Sequence, residues 1–141
     1  MFTFMNAARL GTALQGLAHA EFGFQKSLDY ALDRLQMRSL SGRKNPDKAA
    51  DPIIVHPDVR RMLLTQKAFA EGGRMFVHSL AMGVDVMESD ASDELKGKAD
   101  ARLALLTPIG KAFLTETGFE SANLGLQIFG CLLYTSDAAD E

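Results

Sequence analysis

The side chains able to do chemistry are few in this sequence, and they are scattered. His19, His56 and His78 lie on separate segments, with no Ser or Asp at a spacing that would build a nucleophile–base pair. The single cysteine, Cys131, excludes an internal disulfide framework, and no Cys-x-x-Cys or Cys/His pattern offers zinc ligands. The sequence contains no G-x-S-x-G, Walker or G-x-G-x-x-G loop. Motif reading alone therefore ends at a helical bundle, in which Arg34 and the Gln127-to-Gly130 segment have ordinary structural readings beside any binding one. Arg34 carries a guanidinium whose fork matches phosphate oxygens, although the same cation would also complement a helix C-terminus. In Gln127-Ile128-Phe129-Gly130, the glutamine offers both donor and acceptor and the glycine permits close backbone approach. An amphipathic helix ending on a glycine cap would read the same way.

These groups must be positioned by helices. Leu10, Leu14, Leu17, Phe24, Leu28, Ala31, Leu32 and Leu35 recur at three- and four-residue steps, predicting one helix over about Asn6 to Leu35 with those residues on its inner face. From Arg38 to Pro57 the pattern stops in a polar connector broken by Ser39, Ser41, Gly42, Pro46, Pro52 and Pro57. A second helix is expected from Pro57, whose fixed φ suits a first helical position. Its stripe is Val59, Met62, Leu63, Ala70, Phe76, Val77, Leu80, Val84 and Met87, and Gly72-Gly73 suggests tight packing at its centre. Glu88 to Glu94 reads as a solvated turn, with Ser92 placed to cap a helix from Asp93. Pro108 should kink that helix or start a new one, and Ile109, Ala112, Phe113, Leu124 and Ile128 continue its face to Phe129. No useful strand alternation or internal repeat is present, so the fold class is all-α, most simply an antiparallel helix bundle.

The 141 residues fit one domain, and the composition is that of an ordinary globular protein. A net charge of -3 argues against nucleic acid as a partner, although Arg38, Arg43, Lys44 and Lys48 form a local basic group. The opening residues are soon interrupted by Arg9, His19 and Glu21, so neither a membrane span nor a signal peptide is expected. The expected location is cytoplasmic.

Three segments carry a family resemblance. The first is NAARLGTALQGLAHAEFGFQKSLDYALDR with its Tyr30, Ala31 and Arg34; the second is IIVHPDVRRML; the third is GKAFLTETGFESANLGLQIFG, ending in Gln127 to Gly130. From about Met5 to Gly130 the chain resembles the C-terminal helical domain of FAD-dependent acyl-CoA dehydrogenases. The long segment between Val84 and Pro108 and the wording IVHPDVRRML look most like the 3-methylthiopropanoyl-CoA dehydrogenase branch. The resemblance implies a parent enzyme that oxidises an acyl-CoA thioester to the trans-2-enoyl-CoA, with FAD accepting the hydride. It implies FAD contacts at Arg34 (the pyrophosphate), at Gln127, Ile128, Phe129 and Gly130, and at His56 near the flavin of a partner subunit in a homo-oligomer. Arg9 matches a family arginine near the CoA portion of the substrate, and Asn6 stands where relatives often carry Asp.

The agreement stops after Gly130, where a second glycine is expected and Cys131 stands. Residues 131–141 are therefore expected to be a non-native or disordered tail, with 1–130 as a partial domain. The family's catalytic glutamate belongs to a later segment, and nothing marks Glu116 or Glu120 as a substitute, so the chain alone is expected to be inactive. The competing expectation is a standalone helical interaction module without a cofactor. An oxidase or DNA-alkylation-response relative is a third reading, and the low basic content disfavours its nucleic-acid arm.

Overall fold

The structure, a computed structural model, describes residues 2–130, with side chains from Met5 onward. Cys131 and the expected tail lie outside the described residues. Helix α1 spans Phe2–Asp33, a 3-10 turn spans Ile53–Val55, α2 spans Pro57–Glu88 and α3 spans Asp93–Phe129. The fold is all-α, as the periodicity predicts.

The short turn between α2 and α3 makes α2 antiparallel to α3. Helices α1 and α3 run parallel: Gly16 meets Leu114, Gly23 meets Ser121, and Tyr30 meets Phe129, both residue numbers rising together. Ser92 caps α3 by accepting from the Leu95 amide at 3.4 Å, and Pro57 opens α2, both as expected. Helix α3 continues through Pro108, so no new helix starts there. Packing on both sides of the proline outweighs one lost amide bond: Leu103 lies against Gly83, and Gly110 fits against Leu80 and Phe76.

The inner face of α1 keeps Leu10, Leu17, Phe24, Leu28 and Ala31 of the predicted stripe and departs from it at two positions. Leu14 and Leu32 are exposed, while Ala13, Gly16, Leu17, Ala20, Ser27 and Ala31 are buried. The reason is the closeness of the α1–α3 seam. A Cβ on Gly16 would lie 2.2 Å from the Leu114 carbonyl oxygen, and one on Gly118 would lie 2.5 Å from that of Gly16. Only glycine allows backbones to approach so closely, so small residues occupy the seam and larger ones are turned outward. The expected face of α3 is corrected on the same ground. Ile109, Ala112 and Phe113 are exposed, and Thr107, Gly110, Leu114, Thr117, Gly118, Ser121, Gly125 and Ile128 are buried.

Helix α2 follows its predicted stripe, with Met62, Leu63, Ala70, Val77 and Leu80 buried. Gly73 confirms the tight packing foreseen there, since an added Cβ would stand 2.7 Å from Leu114 Cδ2; Gly72 faces open space. The three helices meet around the wholly buried Gln66. Its Nε2 donates to the Ser121 carbonyl at 2.7 Å and to Ser27 Oγ at 3.4 Å. Gln66 Oε1 and Ser121 Oγ have no hydrogen-bond partner among the described residues, which costs stability where it fixes register.

Candidate cofactor-binding end of the bundle

Helices α1 and α3 end together, and α2 starts beside them. Ala31, Ile53, Met62, Leu63 and Ile128 form a buried cluster that joins the three segments. At its edge the Tyr30 and Phe129 rings stack with centroids 4.5 Å apart, and the Tyr30 hydroxyl points to the Phe129 carbonyl at 3.5 Å. Gly130 then terminates α3 at φ 64° and ψ -146°, a conformation that is nearly glycine's alone.

Arg34 follows immediately after α1. Its amide donates to the Tyr30 carbonyl at 2.8 Å, and its own carbonyl accepts from the Ile53 amide at 2.9 Å, leaving the side chain exposed. His56 precedes α2 and is half-buried, with Nε2 3.0 Å from the Gln36 carbonyl. A carbonyl only accepts, so Nε2 carries the proton and Nδ1 is the nitrogen left for other contacts.

The motif residues divide by exposure. Gln127 and Gly130 face solvent, Ile128 lies in the core cluster and Phe129 is half-buried in the stack. The structure therefore brings Arg34, His56 and Gln127 to Gly130 to one end of the bundle. Arg9 is not among them: it lies 25 residues before Arg34, which is about 37 Å along the helix axis. There its Nη1 donates to Asn6 Oδ1 at 3.3 Å. His19 and His78 are exposed on other surfaces.

The connector holds a residue that motif reading did not single out. Asp51 is wholly buried. Its carboxylate accepts from the amides of Ser39 (2.9 Å), Lys44 (3.0 Å) and Asn45 (2.7 Å), and from Arg38 Nη1 at 3.2 Å. The Ser39 amide bond is the main cause holding its pKa down to about 2; burial opposes it, and the Asn45 and Lys44 amides and Arg38 add to it. The available signal was one of two connector carboxylates, Asp47 and Asp51, among basic residues, which composition alone reads as solvated.

The exposed groups at this end are polar and able to bind. Arg34 supplies a cation, Gln127 a free amide, and the Gly130 turn a backbone without a side chain. Among the described residues no group of three His, Cys, Asp or Glu side chains could hold a metal ion, and no helix is long and apolar enough to cross a membrane.

The sequence that builds this bundle end has known relatives. The sequence profile described as acyl-CoA dehydrogenase, C-terminal domain, matches residues 1–140, and the chain belongs to the acyl-CoA dehydrogenase family. It is 42% identical over 130 residues to a 3-methylmercaptopropionyl-CoA dehydrogenase of Ruegeria pomeroyi, an alignment that covers 92% of this chain and 21% of that protein. A broad-specificity linear acyl-CoA dehydrogenase of Mycobacterium tuberculosis is 32% identical over 137 residues, and a butyryl-CoA dehydrogenase of Syntrophomonas wolfei is 28% identical over 130. Both alignments also cover 92% of this chain and 21% of the relative. The chain thus spans about a fifth of the length of the curated relatives it matches.

Proposed function

We propose that this chain is the cofactor-binding helical part of an FAD-dependent acyl-CoA dehydrogenase that converts an acyl-CoA thioester to its trans-2-enoyl-CoA. The observation carrying this reading is the meeting of Arg34, His56, Gln127 and Gly130, drawn from three segments, at one end of the bundle. In this reading Arg34 takes the FAD pyrophosphate, and Gln127 with the Gly130 backbone takes the adenosine portion. Ile128 and Phe129 serve by anchoring the helix end that presents them, and His56 uses Nδ1. When bound, FAD accepts the substrate hydride. Arg9, at the far end of α1, is assigned to the CoA portion.

The base is not assigned to this chain. Glu116 and Glu120 are exposed on the outer side of α3. The exposed Leu105, Ile109, Phe113, Phe119 and Leu126 on that side suit a homo-oligomer interface. The similarity to the Ruegeria protein favours a 3-methylthiopropanoyl-type acyl group, and the assigned location is cytoplasmic.

Flavin fluorescence during FAD titration of the purified chain tests the assignment. Binding is expected to weaken about tenfold in Arg34→Gln, the loss of one charge-assisted contact. A colourless chain indifferent to FAD would instead favour the interaction module. With acyl-CoA, FAD and an artificial acceptor, the chain alone should show no turnover above blank.

A further inference from the structure

The connector between α1 and α2 is closed by two layers of hydrogen bonds. The outer layer is backbone: Gln36 N to Asp51 O, Asp51 N to Met37 O and Ile53 N to Arg34 O, each 2.9 Å. It ties the residues that leave α1 to those that approach α2, and His56 Nε2 on the Gln36 carbonyl adds a fourth tie. The inner layer is the Asp51 carboxylate, which gathers the amides of Ser39, Lys44 and Asn45 into one turn. Arg38 completes it by bridging Asp51 Oδ1 to the Asn45 carbonyl (2.9 Å) and to that of Lys48. Met37, held between the layers, sits at φ 59°. A non-glycine residue keeps such a conformation only where its surroundings over-determine it.

Arg34 and His56 stand at the two ends of this closed loop. Their separation is set by the Ala31–Ile53–Met62 cluster together with the ties between residues 34–37 and 51–53, and the connector so tied closes around one buried carboxylate. We infer that Asp51 is a positioning residue for the phosphate-binding end of the bundle, fixing Arg34 and His56 relative to each other by closing the connector that joins them. This rests on the reading of Arg34 as the pyrophosphate contact. Asp51 itself is wholly buried and acts through the connector. Its substitution leaves the α1–α3 seam and the Gln66 crossing intact, because neither includes a connector residue.

The test uses the full chain and ADP, the pyrophosphate-bearing portion of FAD. Affinity is read by titration and connector closure by amide hydrogen exchange. In Asp51→Asn, which replaces one acceptor oxygen by a donor, exchange at Gln36, Ser39, Lys44, Asn45 and Ile53 should quicken at least about tenfold. Seam amides on α1 and α3 should not change, and ADP affinity should fall severalfold. Arg38→Gln, which keeps the three amide bonds to Asp51, should give a smaller change in the same direction and serves if Asp51→Asn fails to fold. Because Asp51 acts through Arg34, the pair Asp51→Asn/Arg34→Gln should bind ADP no more weakly than Arg34→Gln alone. Unchanged exchange in both connector variants would overturn the inference. So would additive losses in the pair, or an ADP affinity that responds to Arg34→Gln and to neither connector variant. An ADP affinity indifferent to Arg34→Gln as well would remove the pyrophosphate assignment, and the positioning role with it.

Discussion

The α1–α3 seam and the connector are both tightly organised, by opposite means. The seam is held by what is missing: Gly16 and Gly118 remove side chains so that two backbones touch. The connector is held by what one residue supplies, since four donors converge on Asp51. Close packing has no charge to titrate and little room to yield. A carboxylate clamp tolerates changes in neighbouring bulk and depends on its own ionisation. The difference separates two tasks in the fold: the seam fixes which helices are neighbours, and the clamp closes the connector between the end of α1 and the start of α2.

The comparison breaks most readily at the seam. Gly118→Ala would press a methyl group into the Gly16 carbonyl and should destabilise by about 3 kcal/mol, seen as a lowered midpoint in urea. Gly73→Ala, whose nearest obstacle is the movable end of Leu114, should cost only about 1 kcal/mol in the same assay. Equal losses at the two positions would contradict a rigid seam.

Acid should separate the two regions next. Asp51 has a folded pKa of about 2, below the usual ~3.9 of an unfolded aspartate. Its contribution is therefore present above about pH 4 and is lost as pH falls through 2. Exchange at Ser39, Lys44 and Asn45 should rise in that window before exchange at seam amides does, and Asp51→Asn should abolish the window. Smaller still is Gly130→Ala, which forces a side chain into a positive-φ terminus at a cost of about 1 kcal/mol. Its effect should stay local, loosening the Tyr30–Phe129 contact without changing exchange in the connector. Ser92→Ala at the opposite end removes a long 3.4 Å cap bond and should cost about 0.5 kcal/mol in the urea midpoint.

Much of the architecture was legible because periodicity and terminators agree along α2. Pro57 starts it, its apolar stripe is the buried stripe, and Ser92 caps the helix that follows. Along α1 the same rule held for Leu10, Leu17, Phe24, Leu28 and Ala31 and failed at two positions of the stripe. Where two backbones meet, the buried positions are the small ones, and Leu14 and Leu32 are left outside. Pro108 left a kink or a new helix open, and only tertiary packing on both sides of it decides that α3 runs on as one helix. The clustering of Arg34, His56 and Gln127 to Gly130 could not be read from spacing. They stand far apart in sequence, and it was family resemblance, not pattern, that set them together. Asp51 stayed hidden because a carboxylate in a polar loop looks the same whether it faces water or three amides. Gln66 was hidden likewise on a stripe judged by its apolar members.

The stacked pair at the end of α1 and α3 has an optical consequence. The sequence has no tryptophan and two tyrosines, so Tyr30 provides half of the tyrosine signal of the whole chain. It is packed against Phe129, beside the residues assigned to the cofactor. Near-ultraviolet dichroism and tyrosine emission should follow the closing of that end directly, giving the domain a built-in probe of ligand arrival with no label attached.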